Sequence, residues 1–167
     1  MLPLILKPES RIGLIGAGEA LGRRLKLLTE SGVEPVLLRP DAKPAEIVNL
    51  RLLFVAGLPD GRSAELAGQA KAAGVLVNVE DRPELCDFFV PAVVRRGDLL
   101  ISVSTSGKSP GLAKLLRQWI ERQLGSHWSE RLCEVAARRS EWRCEGLSPD
   151  QVSVRTQALS AAREWLP

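Results

Sequence analysis

Apolar residues in the first half of the chain come in short runs separated by amphipathic stretches. Ile12, Leu14 and Ile15 make the first run, and Gly16-Ala17-Gly18 follows at once. From Glu19 the period changes: Leu21, Leu25 and Leu28 recur at helical spacing as far as Gly32, the residue type that ends helices in a left-handed conformation. VEPVLLRP, residues 33–40, predicts a second strand broken by Pro40, and LRLLFVAG, residues 50–57, a third. GRSAELAGQAKAAG predicts a helix closed by Gly74, and VLVNVED, residues 75–81, a fourth strand. Strands alternating with helices imply crossover connections and a parallel sheet.

The pattern then changes. FFVPAVVRRGDLLISVST, residues 88–105, is two apolar runs joined by RRGD, which predicts a hairpin with Pro91 at a strand start or an edge. Ser109-Pro110 predicts a helix start, with a serine cap and proline at the first helical position. Two further helices are expected over 128–143 and 148–166, the second again opening Ser-Pro. The division expected is therefore an α/β domain over 1–109 and a helical region over 110–167. That region contains Trp119, Trp128, Trp142 and Trp165. It is small for a core of its own, so it should pack on the first domain, on a second chain, or on both.

Composition narrows the partners. The 167 residues are 45% hydrophobic and 26% charged, with a net charge of +3, 4% aromatics and no tyrosine. A nucleic-acid surface would concentrate more charge and more aromatic stacking on one face, so no nucleic-acid partner is expected, and a small anionic substrate fits the composition as well. Cys86, Cys133 and Cys144 cannot all pair and form no C-x-x-C. With no leader-type segment, the expectation is a reduced, cytoplasmic protein. No apolar run reaches the ~18 to 20 residues of a membrane span, so no membrane association is expected.

Two stretches carry candidate chemistry. The first is Gly16-Ala17-Gly18-Glu19-Ala20-Leu21, which follows a strand and opens a helix. In that context Gly16 permits a tight turn, and Gly18 lets backbone amides approach a pyrophosphate at the positive end of the helix. The third small position of such a turn is occupied by Leu21. A dinucleotide site and a glycine turn that binds nothing are both compatible with these residues. At the end of the second strand, Arg39 would suit a 2′-phosphate, while Asp41 stands two residues late for a ribose diol. NAD and NADP are not separated by this stretch.

The second is ISVSTSGKSPGLAK, residues 101–114, in which Gly107-Lys108-Ser109 superficially resembles a phosphate loop. A Walker loop would need glycine at position 102, which is serine, and Pro110 alters the entry to the helix. That reading is rejected. What remains is Ser102, Ser104, Thr105, Ser106 and Ser109 with Lys108 at a helix N-terminus. Such a place suits an anion, or Ser109 merely caps the helix.

The segment NVEDRPELCDFFVPAVVRRGDLLISVSTSGKSPGLAKLLR, residues 78–117, resembles the precorrin-2 dehydrogenase / sirohydrochlorin ferrochelatase family, the first module of siroheme synthases. The similar features are Asn-Val-x-Asp, Cys-Asp-Phe, Pro-Ala, Arg-Arg-Gly and the hydroxyl loop ahead of Ser-Pro, within a likeness running from residue 1 to about 120. The resemblance implies a Rossmann-like doubly wound fold and a homodimer that exchanges its helical region. It implies NAD as cofactor, oxidation of precorrin-2 to sirohydrochlorin and, in some members, insertion of ferrous iron.

The resemblance also implies residue roles. Asp81 corresponds to the catalytic aspartate and Thr105 to the catalytic hydroxyl. Gly16, Gly18, Glu19, Ala20, Pro40 and Asp41 correspond to cofactor contacts. Ser104, Ser106, Lys108, Arg95, Arg96 and Arg117 are candidates to attract the substrate's carboxylates. No metal ligands are assigned. The chain departs from the family at Leu21, at Ser106, where members carry glycine, and at VAGLPDGR, where they carry polar residues. Those departures motivate an alternative: a non-catalytic dinucleotide- or tetrapyrrole-binding member acting as a pathway partner.

Overall fold

The computed structural model describes residues 10–166. The chain divides into two compact units between Val90 and Pro91. The first holds β1 (Ile12–Gly16), α1 (Gly18–Thr29), β2 (Val36–Leu38), α2 (Pro44–Ile47), β3 (Leu52–Ala56), α3 (Asp60–Ala72) and β4 (Leu76–Val79). The strands form one parallel sheet in the order β2-β1-β3-β4. This is the Rossmann-like α/β arrangement expected from the strand-helix alternation.

Side-chain alternation along each strand explains why the sheet is covered on both faces. Ile12 and Leu14 of β1 and Leu52 and Phe54 of β3 share one face with Leu28 of α1. Ile15, Leu53, Val55, Val77 and Val79 point to the other, against Ile47 of α2 and Leu66, Ala67 and Ala70 of α3. Every residue of β1 and β3 is buried, as expected of interior strands of a parallel sheet. β2 is shorter than the pattern predicted. It lies at the sheet edge, Val36 and Leu37 are exposed, and Pro35 and Pro40 bracket it. The four-residue α2, which no period in the sequence marks, opens at Pro44, with the Lys43 amide donating to the Glu46 carboxylate at 2.8 Å.

The other edge, β4, is closed by the chain that follows it. The Asp87 amide donates to the Val77 carbonyl at 2.8 Å, and the Asp87 carboxylate accepts from the Val77 amide at 3.0 Å. Asn78 donates to the Phe88 carbonyl at 2.9 Å. Cys86, Asp87 and Phe88 therefore seal a sheet edge that would otherwise expose unpaired amides.

The second unit holds the antiparallel hairpin β5 (Ala92–Arg96) and β6 (Leu99–Val103), then α4 (Pro110–Gln123), α5 (Trp128–Cys144) and α6 (Pro149–Ala162). The sequence pattern groups this hairpin with the α/β domain, with a boundary at 109/110. In the structure the hairpin is a separate sheet that groups with the helices. Arg96 is one reason. Its Nε donates to the Leu124 carbonyl at 2.7 Å and its Nη2 to the Glu121 carbonyl at 2.9 Å, tying the hairpin to the end of α4. A Cβ on Gly97, at the hairpin turn, would collide with Ser129 of α5.

Between α5 and α6, Trp142 and Val152 are buried. Arg131 lies over the rings of Trp128 and Trp165 at 4.8 and 5.5 Å, a cation–π arrangement. On α4, Leu112, Leu115, Leu116 and Trp119 form a stripe at helical spacing that remains 41–63% exposed. No helix among the described residues is long and apolar enough to cross a membrane.

Candidate functional site

The turn between β1 and α1 is shaped by two close approaches. A Cβ at Gly16 would run into the Ala56 carbonyl oxygen, and the Ala17 amide donates to that same oxygen at 3.1 Å. Opposite, Gly57 has φ +67, and a Cβ there would lie 2.5 Å from the Ala17 carbonyl oxygen and 2.8 Å from Ala20. The loops after β1 and β3 are thus pressed together backbone to backbone. Gly18 differs: its φ is +59, and a Cβ there would meet nothing within 4 Å. Glycine is required at Gly18 by conformation, and the space beside it is open.

This arrangement leaves the first amides of α1 without a side-chain partner among the described residues. Ala17 caps the helix without any side-chain hydrogen bond, and the first return bond is from Leu21 to the Ala17 carbonyl at 3.3 Å. The side chain of Glu19 is 96% exposed and pairs with Arg23 at 3.8 Å, so it does not occupy those donors. Leu21, the misfit in the glycine pattern, packs with Ile12, Leu14 and Phe54 beneath the helix. It occupies the sheet side and leaves the turn's outer face clear. A helix N-terminus that no side chain caps, with a glycine-permitted close approach, fits a dinucleotide pyrophosphate.

At the end of β2, Arg39 and Asp41 pair with each other at 3.3 Å and remain 86% and 74% exposed. Pro40 and Asp41 border a shallow depression of about 510 Å³ that also touches Arg62 and Gln69 of α3. Asp81 follows β4 with φ +58. That left-handed turn is one that aspartate tolerates better than most residues. It exposes the carboxylate at the C-terminal end of the sheet, the end at which doubly wound sheets bind ligands.

Arg24 of α1, not singled out from the sequence, stands near that turn. Its guanidinium lies 5.2 Å over the Phe54 ring. Burial lowers its pKa from the usual arginine value, against the raising fields of Glu80, Cys86 and Asp81. Its signal in the sequence was weak, because Arg23-Arg24 reads as the solvated face of a helix. Arg82, the residue after Asp81, pairs with Asp60 at 2.8 Å. This links the start of α3 to the β4 turn.

The hydroxyl loop lies in the second unit. Thr105 Oγ1 donates to the Ser109 carbonyl at 3.0 Å and accepts from the Ser109 amide at 3.1 Å. Ser106 and Gly107 follow with φ +55 and +77, and the Lys108 amide returns to the Thr105 carbonyl at 3.0 Å. Ser104 Oγ accepts from the Ser106 amide at 3.2 Å, and Ser109 caps α4 at the Leu112 amide, also 3.2 Å. Ser106 thus adopts the left-handed geometry for which glycine is the usual choice, so the loop keeps its form without that glycine.

The four basic candidates separate. Arg95 and Lys108 are exposed. Arg117 pairs with Glu121 one helical turn on. The Arg96 guanidinium is committed to the carbonyls of Arg95, Glu121 and Leu124. Thr105 and Arg96 are therefore residues whose polar groups already hold their own unit together.

Comparison with known proteins agrees with this architecture. Residues 5–92 match the family described as putative NAD(P)-binding, and residues 96–123 the one described as sirohaem biosynthesis protein central. A siroheme synthase of Pseudomonas putida is 32% identical over 89% of this chain and 36% of its own length. One from Methylococcus capsulatus is 35% identical over 81% of this chain and 33% of its own. The chain thus spans about a third of the length of these relatives. The solved structure of SirC, a precorrin-2 dehydrogenase, superimposes with a TM-score of 0.69 over 95% of this chain and 89% of that one at 17% identity, which shows the shared fold. The chain belongs to the family described as putative NAD(P)-binding, and it carries after that region the segment that matches the sirohaem biosynthesis central family.

Proposed function

We propose that the chain is an NAD-dependent oxidoreductase that converts precorrin-2 to sirohydrochlorin in siroheme synthesis. The observation that carries this reading is the turn at Gly18, where a left-handed glycine and the uncapped start of α1 leave backbone donors facing open space. NAD, when bound, supplies the hydride acceptor. Gly16, Gly18, Glu19 and Ala20 would hold its pyrophosphate through the amides of the turn, and Pro40 and Asp41 would meet the adenosine ribose.

The oxidation removes a hydride and a proton from the macrocycle. Asp81 takes the proton, as an exposed carboxylate at the ligand-binding end of a parallel strand is suited to do. Ser104, Ser106 and Lys108 at the start of α4, with Arg95 and Arg117, attract the substrate's carboxylates. Thr105 and Arg96 act by holding those groups in place. Entry of ferrous iron into the ring displaces pyrrole protons, which the same base can accept, so the reading extends to ferrochelation.

The protein acts as a cytoplasmic homodimer joined through α4, since the stripe of Leu112, Leu115, Leu116 and Trp119 has no cover within the described residues. A second reading, binding of the tetrapyrrole without turnover, is favoured by the commitment of the Thr105 hydroxyl to Ser109. Incubation with precorrin-2 and NAD separates the two. Appearance of sirohydrochlorin absorption together with NADH supports the oxidoreductase. Tetrapyrrole binding with neither product supports the binding module. Ferrous iron added to the same cuvette reads chelation as loss of the sirohydrochlorin spectrum.

A further inference from the structure

Arg62 stands in the first turn of α3, and its guanidinium reaches back to the loop after β2. Nε donates to the Pro40 carbonyl at 2.7 Å and Nη2 to the Ala42 carbonyl at 2.8 Å. Nη1 pairs with Glu65 at 2.7 Å, and the Arg62 side chain is only 22% exposed. The loop is itself a tight turn, closed by the Ala42 amide donating to the Arg39 carbonyl at 2.9 Å. Both bonds from Arg62 to the loop fall on its backbone, whereas the Arg39 and Asp41 side chains at the tip stay largely exposed. A planar fork gripping two carbonyls fixes the rotation of a loop as well as its position. Lysine, a point charge on a flexible stem, cannot do both.

We propose that Arg62 is a positioning residue for dinucleotide binding. It holds the Arg39–Ala42 turn in the orientation that meets the adenosine ribose, and it sets the affinity for that half of the cofactor without touching it. The inference rests on the dinucleotide reading given above. Its physical basis is tolerance: a diol is recognised only when its acceptor is held to within about 0.5 Å. A three-residue edge strand does not supply that rigidity, and the bond network from α3 does.

The full chain and its Arg62→Met and Arg62→Lys variants are titrated by calorimetry with NAD, with ADP-ribose and with nicotinamide mononucleotide. For Arg62→Met, dissociation constants for NAD and ADP-ribose are expected to rise about tenfold, the scale of one lost charged hydrogen bond. Arg62→Lys should fall between wild type and Arg62→Met, and nicotinamide mononucleotide should bind all three proteins alike. In turnover, KM for NAD should rise while kcat at saturating NAD is retained. Unaltered NAD affinity in either folded variant overturns the inference. An equal loss for both half-ligands also overturns it, because Arg62 would then support the whole unit. Should Arg62→Met fail to fold, the lysine variant carries the same comparison. A wild-type protein that binds none of the three ligands refutes the dinucleotide reading itself, and the inference falls with it.

Discussion

The amide of Ala17 donates to the carbonyl of Ala56 at 3.1 Å, which sets the turn after β1 directly against the end of β3. This one bond separates the roles of the two glycines beside it. Gly16 is needed because a side chain there would strike backbone, and Gly18 because of its left-handed conformation. Gly16→Ala is therefore expected to lower stability by a few kcal/mol, the scale of overpacking in a well-packed core (~1 to 3 kcal/mol). Gly18→Ala should cost about 1 to 2 kcal/mol of conformational strain, keep its fold and weaken NAD binding. Thermal unfolding and calorimetry on the two variants read the contrast. Equal affinity of Gly18→Ala and wild type for NAD would remove the pyrophosphate from this turn.

Asp81 and Thr105 should respond very differently to substitution. Asn is among the few residues that tolerate the left-handed geometry at 81, so Asp81→Asn should fold and bind normally. Its turnover should fall by ~10²- to 10⁴-fold, as for loss of a general base. Thr105→Ala removes two hydrogen bonds to Ser109 and should act mainly through the loop, raising KM more than it lowers kcat. Steady-state kinetics with precorrin-2 decide the rank order, and an Asp81→Asn enzyme at wild-type rate would withdraw the base from this residue.

Arg95 and Arg96 are neighbours with separate expected effects. Arg96→Met strips the donors that tie the hairpin to the end of α4. With ~1.5 to 3 kcal/mol for each hydrogen bond to a charged group, the melting temperature should fall by several degrees. Arg95→Gln should leave the melting temperature unchanged and weaken binding of the anionic substrate. Scanning calorimetry paired with a substrate titration tests both. A stable Arg96→Met protein would show that the clamp contributes little.

The α4 stripe provides a test of assembly. Leu115 and Trp119 are 63% and 54% exposed, so Leu115→Glu with Trp119→Glu should not disturb the core of a protomer. The paired change should convert a dimer to a monomer at tens of micromolar, about the range in which a weak obligate contact persists. Light scattering on wild type and variant reads the mass. A monomeric wild type would refute the dimer.

Much of the architecture was legible in the chain itself. Short apolar runs set between stretches of helical period are local signals, and β1, α1, β3, α3 and β4 lie where those signals are. The Ser-Pro starts of α4 and α6 were equally local, because a cap and a proline act within one turn. β2 was overestimated, because its pattern does not reveal that it lies at an edge with one neighbour. The four-residue α2 was missed, since its stability comes from Pro44 and the Glu46 cap rather than from any period.

What tertiary structure alone decided was which polar groups are already committed. From the sequence, Thr105 is a candidate catalytic hydroxyl and Arg96 a candidate substrate cation, while nothing in the pattern singles out Arg62. Only folding brings Ser109, the end of α4 and the Pro40 turn to them. Gly57 looked like part of a departure from the family pattern, yet the pressed loops after β1 and β3 require its missing side chain. The sequence determined the order and type of the elements, since those depend on neighbours a few residues away. The partners of a charge such as Arg62 depend on contacts between residues far apart in the chain, here Pro40, separated from it by 22 in sequence, and no local pattern encodes them.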